Sequence, residues 1–303
     1  MSLRINQNIE ALTANRYLAQ NDLMLSKSIE KLASGQKINS AADGPASLVI
    51  SEGLRAQISS LKQAAQNSEV AASVIQTAEG AMDEVSRLLV NIRQRALAAA
   101  NTGVNDELVV AASQFEIQNA LSSIDRIAQN TQFGSKPLLN GTNPELEFQI
   151  GANKGNILKL ALPNITTDKL GNGSSDKLGN DSSDKLGNGS SEDGSSSLAE
   201  VDVRTPSGAA SAISIVDKAI NEIASSRGEL GALQRSALQS NLVSLRLDAE
   251  NLSAAESIIR DADVAMELAE FTRLQIMNQF AVAQAAQANV LPRNLLHLVQ
   301  SQP

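Results

Sequence analysis

The chain has no cysteine and no tryptophan, a single histidine (His297), and aromatic residues at only 2%. Without cysteine there is no thiolate nucleophile, no disulfide and no thiolate metal site. With one histidine, beside Leu295, Leu296 and Leu298, a serine–histidine centre has one conceivable base, and its apolar surroundings argue against that role. No compact cluster of carboxylates or lysines replaces it, so neither an enzyme nor a cofactor or metal is expected. Scarce aromatics also disfavour a ligand pocket, which large rings usually line. Basic residues are few and dispersed: 25 Lys and Arg stand against 33 Asp and Glu, a net charge of −8. That excludes the basic stripe a nucleic-acid binder needs, and no glycine-rich phosphate loop is present. No run approaches the roughly 18 apolar residues of a membrane span, so membrane insertion is not expected. The opening MSLRINQNIEALTANRYL has no apolar stretch of a cleaved leader. The reading is a cytoplasmic protein or one exported without such a leader.

Proline and glycine are absent where they would matter most to helices. No proline occurs from Ala46 to Lys136 or from Ser207 to Leu291, and ten of the 18 glycines lie between Gly134 and Gly194. Because proline costs about 3 kcal/mol and glycine about 1 kcal/mol inside a helix, two long helical arms flank a non-helical middle.

What is present in the arms is a heptad-like apolar pattern. Ile5, Ile9 and Leu12, then Leu25, Ile29 and Leu32 in a shifted phase, predict an amphipathic helix ending near Gly35. Pro45 predicts the start of the next helix. That helix carries Leu54, Ile58, Leu61, Ala65, Ser68, Ala72, Ile75, Glu79 and Met82 on a 4,3 repeat, a coiled-coil seam. In the second arm Ile213, Val216, Ile220, Ile223 and Leu230 follow helical spacing, and Leu238, Leu242 and Leu245 resume it after a phase shift. A joint is expected at residues 260–265. A last helix follows over 264–289, with Leu268, Phe271, Leu274 and Met277 on one side. Pro292 is read as a break before a final apolar turn holding Leu291, Leu295, Leu296 and Leu298.

Between the arms, Leu146, Phe148 and Ile150 alternate, as do Leu158, Leu160 and Leu162, around a turn at 151–155; this is a β-hairpin pattern. Then DKLGNGSS is written three times over 168–191, with Asp181 the one departure. Its composition cannot bury enough apolar surface to offset chain entropy, so a flexible, exposed segment is expected over 166–204. Each unit carries an Asn-x-Ser triplet, and Ser174, Ser182 and Ser190 are candidate modification sites. Both terminal helices leave apolar stripes with no obvious partner inside one chain. Each Leu or Ile left in water forfeits ~1.5–3 kcal/mol, so the stripes predict association with further copies.

Four stretches resemble the bacterial flagellins: LASGQKINSAADGPASLVISEGLRAQI (32–58), NTQFGSKPLLNG (130–141), AENLSAAESIIRDADVAMELAEFTRLQI (249–276) and AQAAQANVLPRNLLHLV (283–299). They occur in family order at both ends. The resemblance implies a mainly α fold. Residues 1–42 and 260–303 would form an inner coiled-coil domain of long antiparallel helices. Residues 43–165 and 205–259 would form an outer helical bundle with a small β-hairpin. Residues 166–204 would be a variable, exposed insert. It implies a structural subunit of the extracellular flagellar filament, with the hook–filament junction protein as the alternative. Implied partners are other copies of the chain, an export chaperone on 264–299, the distal cap and the junction protein. Some flagellins are recognised by an innate immune receptor. Arg93 and Glu116 match positions of that face, but its principal arginine is Asn91 here and its leucine is Arg95. That departure favours a subunit-packing face.

Overall fold

In a computed structural model the described residues are 8–101, 103, 106–172 and 197–300, with side chains described to 290. The helices are α1 (Ile9–Ser34), α2 (Pro45–Ala99), α3 (Glu107–Asn130), α4 (Pro206–Ala232), α5 (Ser240–Arg260) and α6 (Val264–Gln300). The strands are β1 (Gln132–Phe133), β2 (Lys136–Pro137), β3 (Glu145–Gln149) and β4 (Ile157–Ala161). Two compact units emerge, residues 1–58 with 250–303, and residues 59–249.

Local chemistry sets the helix ends. Asn8 caps α1 by accepting from the Ala11 N–H, and Gly35 closes it with φ 67°, a left-handed turn that a side chain disfavours. Pro45 opens α2. Thr205 caps α4 by accepting from the Gly208 N–H, and Pro206 follows it, where a missing N–H costs nothing. The expected break at Pro292 is not seen: α6 continues to Gln300. An internal proline removes one ladder bond and strains the preceding turn, but does not by itself end a helix.

The 59–249 unit has one continuous core. Its buried side chains come from α2, α3, β4 and α4, with Leu138, Leu139, Ile165 and Leu198 from the connections. Along α2 two columns are buried. One is the expected Leu61, Ser68, Ile75 and Met82, continued by Leu89 and Ala96; the other is Ala64, Ala71, Ala78, Val85, Ile92 and Ala99. The pattern's Ala65, Ala72 and Glu79 flank the seam instead. With small residues in both columns, one residue's displacement hardly alters the apolar pattern.

β3 and β4 pair antiparallel, with Leu146 opposite Leu160 and Phe148 opposite Leu158. Those four point toward the core, and Lys159 bridges Glu145 and Glu147 on the other face. Between α4 and α5 lies a π-helical stretch, Leu233–Gln239. Buried residues 223, 230, 238 and 245 step by seven, eight and seven. The π turns therefore absorb one surplus residue, which the sequence showed only as a phase shift.

The expectation of exposure over 166–204 fails at both ends of that segment. Thr167, Leu170, Leu198, Val201 and Val203 are buried. The Thr167 N–H and hydroxyl donate to Asp125, and the Gly171 N–H donates to Glu222. The Leu198 N–H donates to the Leu170 carbonyl at 3.0 Å, closing the base of the excursion. Gln114 holds the returning strand by donating to the Val201 carbonyl and accepting from the Val203 N–H. The first DKLG is thus part of the body.

Candidate self-assembly surface

α1 and α6 form an antiparallel pair. Asn8 donates to the Ala288 carbonyl at 2.8 Å, Asn278 to Asp22, and Ser28 to Glu267 at 2.8 Å. The seam positions, buried or partly buried, are 11, 14, 18, 21, 25, 28 and 32 on α1 and 267, 271, 274, 278, 281, 285 and 288 on α6, with Thr13, Lys31 and Glu270 partly buried beside them. Both sets alternate steps of three and four, a heptad seam. Its buried members are mostly small: Ala11, Ala14, Ser28, Ala285 and Ala288, with Leu274 the large one. Small side chains let the helices approach closely, so the seam is completed without most of the large residues.

The expected assembly residues therefore divide. Leu25, Leu32, Phe271 and Leu274 lie in the seam. Ile9, Leu12, Ile29, Leu268 and Met277 are exposed, Leu12 to 73%. Leu23, Met266, Ile276 and Phe280, outside the expected set, are exposed as well, Phe280 to 71%. Met266, Ile276 and Phe280 were legible as large residues off the predicted stripe, and Leu23 as part of the 4,3 pattern that runs on from Ile5, Ile9 and Leu12. Ile5 lies outside the described residues. Leu291, Leu295, Leu296 and Leu298 fall in the last turns of α6, beyond the described side chains, as does His297.

A clasp joins the segment after α1 to the α5–α6 joint. Arg260, largely buried, donates to Glu52 at 2.6 Å and to Gln36 at 3.1 Å. The Lys37 N–H donates to the Arg260 carbonyl, and the Ala262 N–H to the Gly35 carbonyl. The Arg260 hydrogen bond holds the Glu52 carboxyl below its ordinary range. Asp43 is lowered by hydrogen bonds from Ser40, and Glu270 by that from Arg273.

Elsewhere Arg93 pairs with Asp217 at 2.6 Å and Glu116 with Arg95 at 2.6 Å, so the two candidate receptor-face residues have different partners. Ser174, Ser182 and Ser190 lie outside the described residues. Among the described residues no group of His, Asp or Glu is placed to hold a metal ion, and no helix is long and apolar enough to cross a membrane.

Residues 5–144 match the family model of the bacterial flagellin N-terminal helical region, and residues 213–299 that of the C-terminal helical region. The flagellin of Halalkalibacterium halodurans is 38% identical over 296 residues, 98% of this chain and 99% of that one. The chain belongs to the bacterial flagellin family. The Bacillus subtilis flagellin is likewise 38% identical, over 98% of this chain and 100% of its own. A flagellin-family relative from Treponema maltophilum, a flagellar filament 30.7 kDa core protein, is 33% identical over 97% of this chain and 99% of its own. A putative flagellar hook-associated protein from Vibrio parahaemolyticus shares the fold, with a TM-score of 0.55 at 14% identity over 72% of this chain and 99% of that one.

Proposed function

We propose that this flagellin is the repeating structural subunit of a flagellar filament, and that copies assemble by covering one another's α1 and α6. The observation that carries this reading is the split within the pair. Its seam is satisfied internally, while Ile9, Leu12, Ile29, Leu268, Met277 and Phe280 remain in water. A contact between unlike surfaces of successive copies generates a ring where the rotation closes and an open helical filament where it does not. As a flagellin the protein is an exported, extracellular structural protein of the flagellum, not an enzyme. Relatives named flagellin and filament core protein at 33–38% identity favour the filament over the junction ring; the hook-associated likeness shows fold alone.

Around that core we place the remaining roles. Residues 1–42 and 260–303 act as the inner domain. The export chaperone binds 264–299, the cap guides insertion, and the junction protein meets the first subunits. The face around Arg93 and Glu116 serves subunit packing. Ser174, Ser182 and Ser190 are the sites where surface modification would act.

Polymerisation of purified protein tests the proposal. The full chain should form long tubes, and chains lacking 1–35 or 264–303 should not. Long tubes from either truncated chain would overturn the assembly role of the pair. A product limited to short rings would favour the junction alternative.

A further inference from the structure

We propose that Met277 is an oxidation site that controls assembly, with Arg273 as the group that holds the oxidised side chain. The proposal rests on the assembly role given above to α1 and α6. Met277 is 40% exposed and lines a shallow groove of ≈ 230 Å³ between the two helices, with Ala14, Tyr17, Asn21, Phe280 and Gln284. One helical turn earlier, Arg273 is fixed by Glu270, which accepts from its Nε at 2.8 Å and also from its Nη2. The remaining terminal nitrogen, Nη1, donates to the Met277 Sδ at 3.0 Å.

A thioether is a weak acceptor and a poor use of a guanidinium N–H. A sulfoxide oxygen is a far better one. Hydrogen peroxide or another two-electron oxidant outside the cell supplies the step. The sulfur lone pair attacks one peroxide oxygen, the S–O bond forms as the O–O bond breaks, and the second oxygen leaves as hydroxide, which takes the proton still on the first and becomes water. Sulfur is oxidised by two electrons and the peroxide is reduced by two. The product turns a flexible apolar side chain into a polar one. Arg273 then binds its oxygen, so a hydrated, charged pair occupies a groove that an apolar neighbour would have to fill.

Of the other four methionines Met1 lies outside the described residues, and the remaining three provide internal controls. Met82 is fully buried in the 59–249 core, whereas Met24 is 44% and Met266 is 73% exposed. Among the described residues neither Met24 nor Met266 has a guanidinium donor on its sulfur.

The test treats the unassembled full chain with hydrogen peroxide, maps sulfoxides by peptide mass spectrometry and follows polymerisation by light scattering. Protein carrying the Met277 sulfoxide should need at least tenfold higher concentration to polymerise, and methionine sulfoxide reductase should restore it. Met277→Leu alters the assembly surface itself, so it is compared only with its own untreated sample and should polymerise equally before and after peroxide, while Met277→Gln should assemble poorly without it. Normal polymerisation of protein shown to carry the Met277 sulfoxide overturns the proposal, as does equal peroxide inhibition of Met277→Leu. If Met277→Leu does not assemble, the Met24→Leu/Met266→Leu double variant decides: retained inhibition supports the assignment and resistance overturns it. Failure of untreated wild type to polymerise would instead refute the filament reading.

Discussion

In the 59–249 unit a continuous core is built of large side chains, although Leu97, Leu108, Phe115 and Leu247 lie outside it, exposed. Ile75, Met82, Leu89, Ile92, Ile117, Ile124 and Ile223 are all fully buried. In the α1–α6 pair the arrangement is reversed, with small residues in the seam and Leu12, Met266 and Phe280 outside. Residue types overlap between the two regions; what differs is whether the chain itself supplies the covering surface. One region holds a large-residue core of its own, and the other, under the function proposed above, is completed by other copies. Substitution should separate them sharply. Ile75→Ala or Ile124→Ala opens a cavity and should lower the stability of the free chain by about 2–5 kcal/mol. Leu12→Ala should change it by about 0.5 kcal/mol or less and raise the concentration needed for polymerisation. Denaturant unfolding and light scattering on the same preparations give both values. A large stability loss from Leu12→Ala would dissolve the distinction.

The excursion sharpens the same contrast within a single repeat. The three copies look interchangeable, yet the first supplies Leu170 and Gly171 to the body. Gly171 has φ +81°, and a Cβ there would lie 2.7 Å from the Ile215 side chain. Deleting 176–191, two whole units, should leave the 59–249 melting transition unchanged. Deleting 168–175 instead moves the second unit's identical DKLG (176–179) into place and should be equally tolerated. Gly171→Ala combines a strained φ with that clash and should cost about 1–3 kcal/mol. Equal stability of Gly171→Ala and wild type would show that the root is not held as described.

The sequence was readable where the signal is local. Gly35 and Pro45 mark helix ends because each acts through its own backbone, and the hairpin showed itself through period-two alternation. It was less readable where identity depends on distant partners. The expected stripe runs through Ile9 and Leu12, but on α1 it is Ala11 and Ala14 that are buried in the pair with α6, whose Ala285 and Ala288 are buried too. Likewise nothing inside DKLG distinguishes the copy that packs on α4 from those that follow it. Gln114, Asp125 and Glu222 read as ordinary surface residues of helices; their role appears only when the returning chain passes over them.

The π stretch offers a smaller effect with opposite outcomes at neighbouring sites. Deleting Ser236 removes the surplus residue and makes the step from 230 to the next buried leucine seven, so α4 and α5 can continue as one α-helix. Stability should stay within about 1 kcal/mol of wild type, since one exposed residue is lost and the ladder becomes regular. Deleting Ser226, within regular α4, should instead displace Ile215, Val216, Ala219 and Ile223 against Leu230 and Leu238. That costs several of the ~2–5 kcal/mol penalties typical of core disruption. Thermal melts of the two deletions check the difference; equal losses would mean that the π turns hold a required conformation.

Acid should act on the two regions in order, though weakly. The lowered carboxyls of Asp43, Glu52 and Glu270 all belong to the unit made of 1–58 and 250–303. A carboxyl whose folded pKa is depressed contributes stability above its unfolded pKa, and that contribution is lost as pH falls through the folded value. From near pH 4 downward the clasp and the α1–α6 pair should therefore lose amide protection relative to neutral pH. Hydrogen exchange of the full chain, read by mass spectrometry at pH values on either side of 4 and corrected for intrinsic rates, follows this loss. Arg260→Gln removes the first cause of the Glu52 shift and should reduce the acid response of the clasp while leaving that around Glu270 in place. An unchanged acid response in Arg260→Gln would remove Glu52 from the explanation and leave Asp43 and Glu270 to carry it.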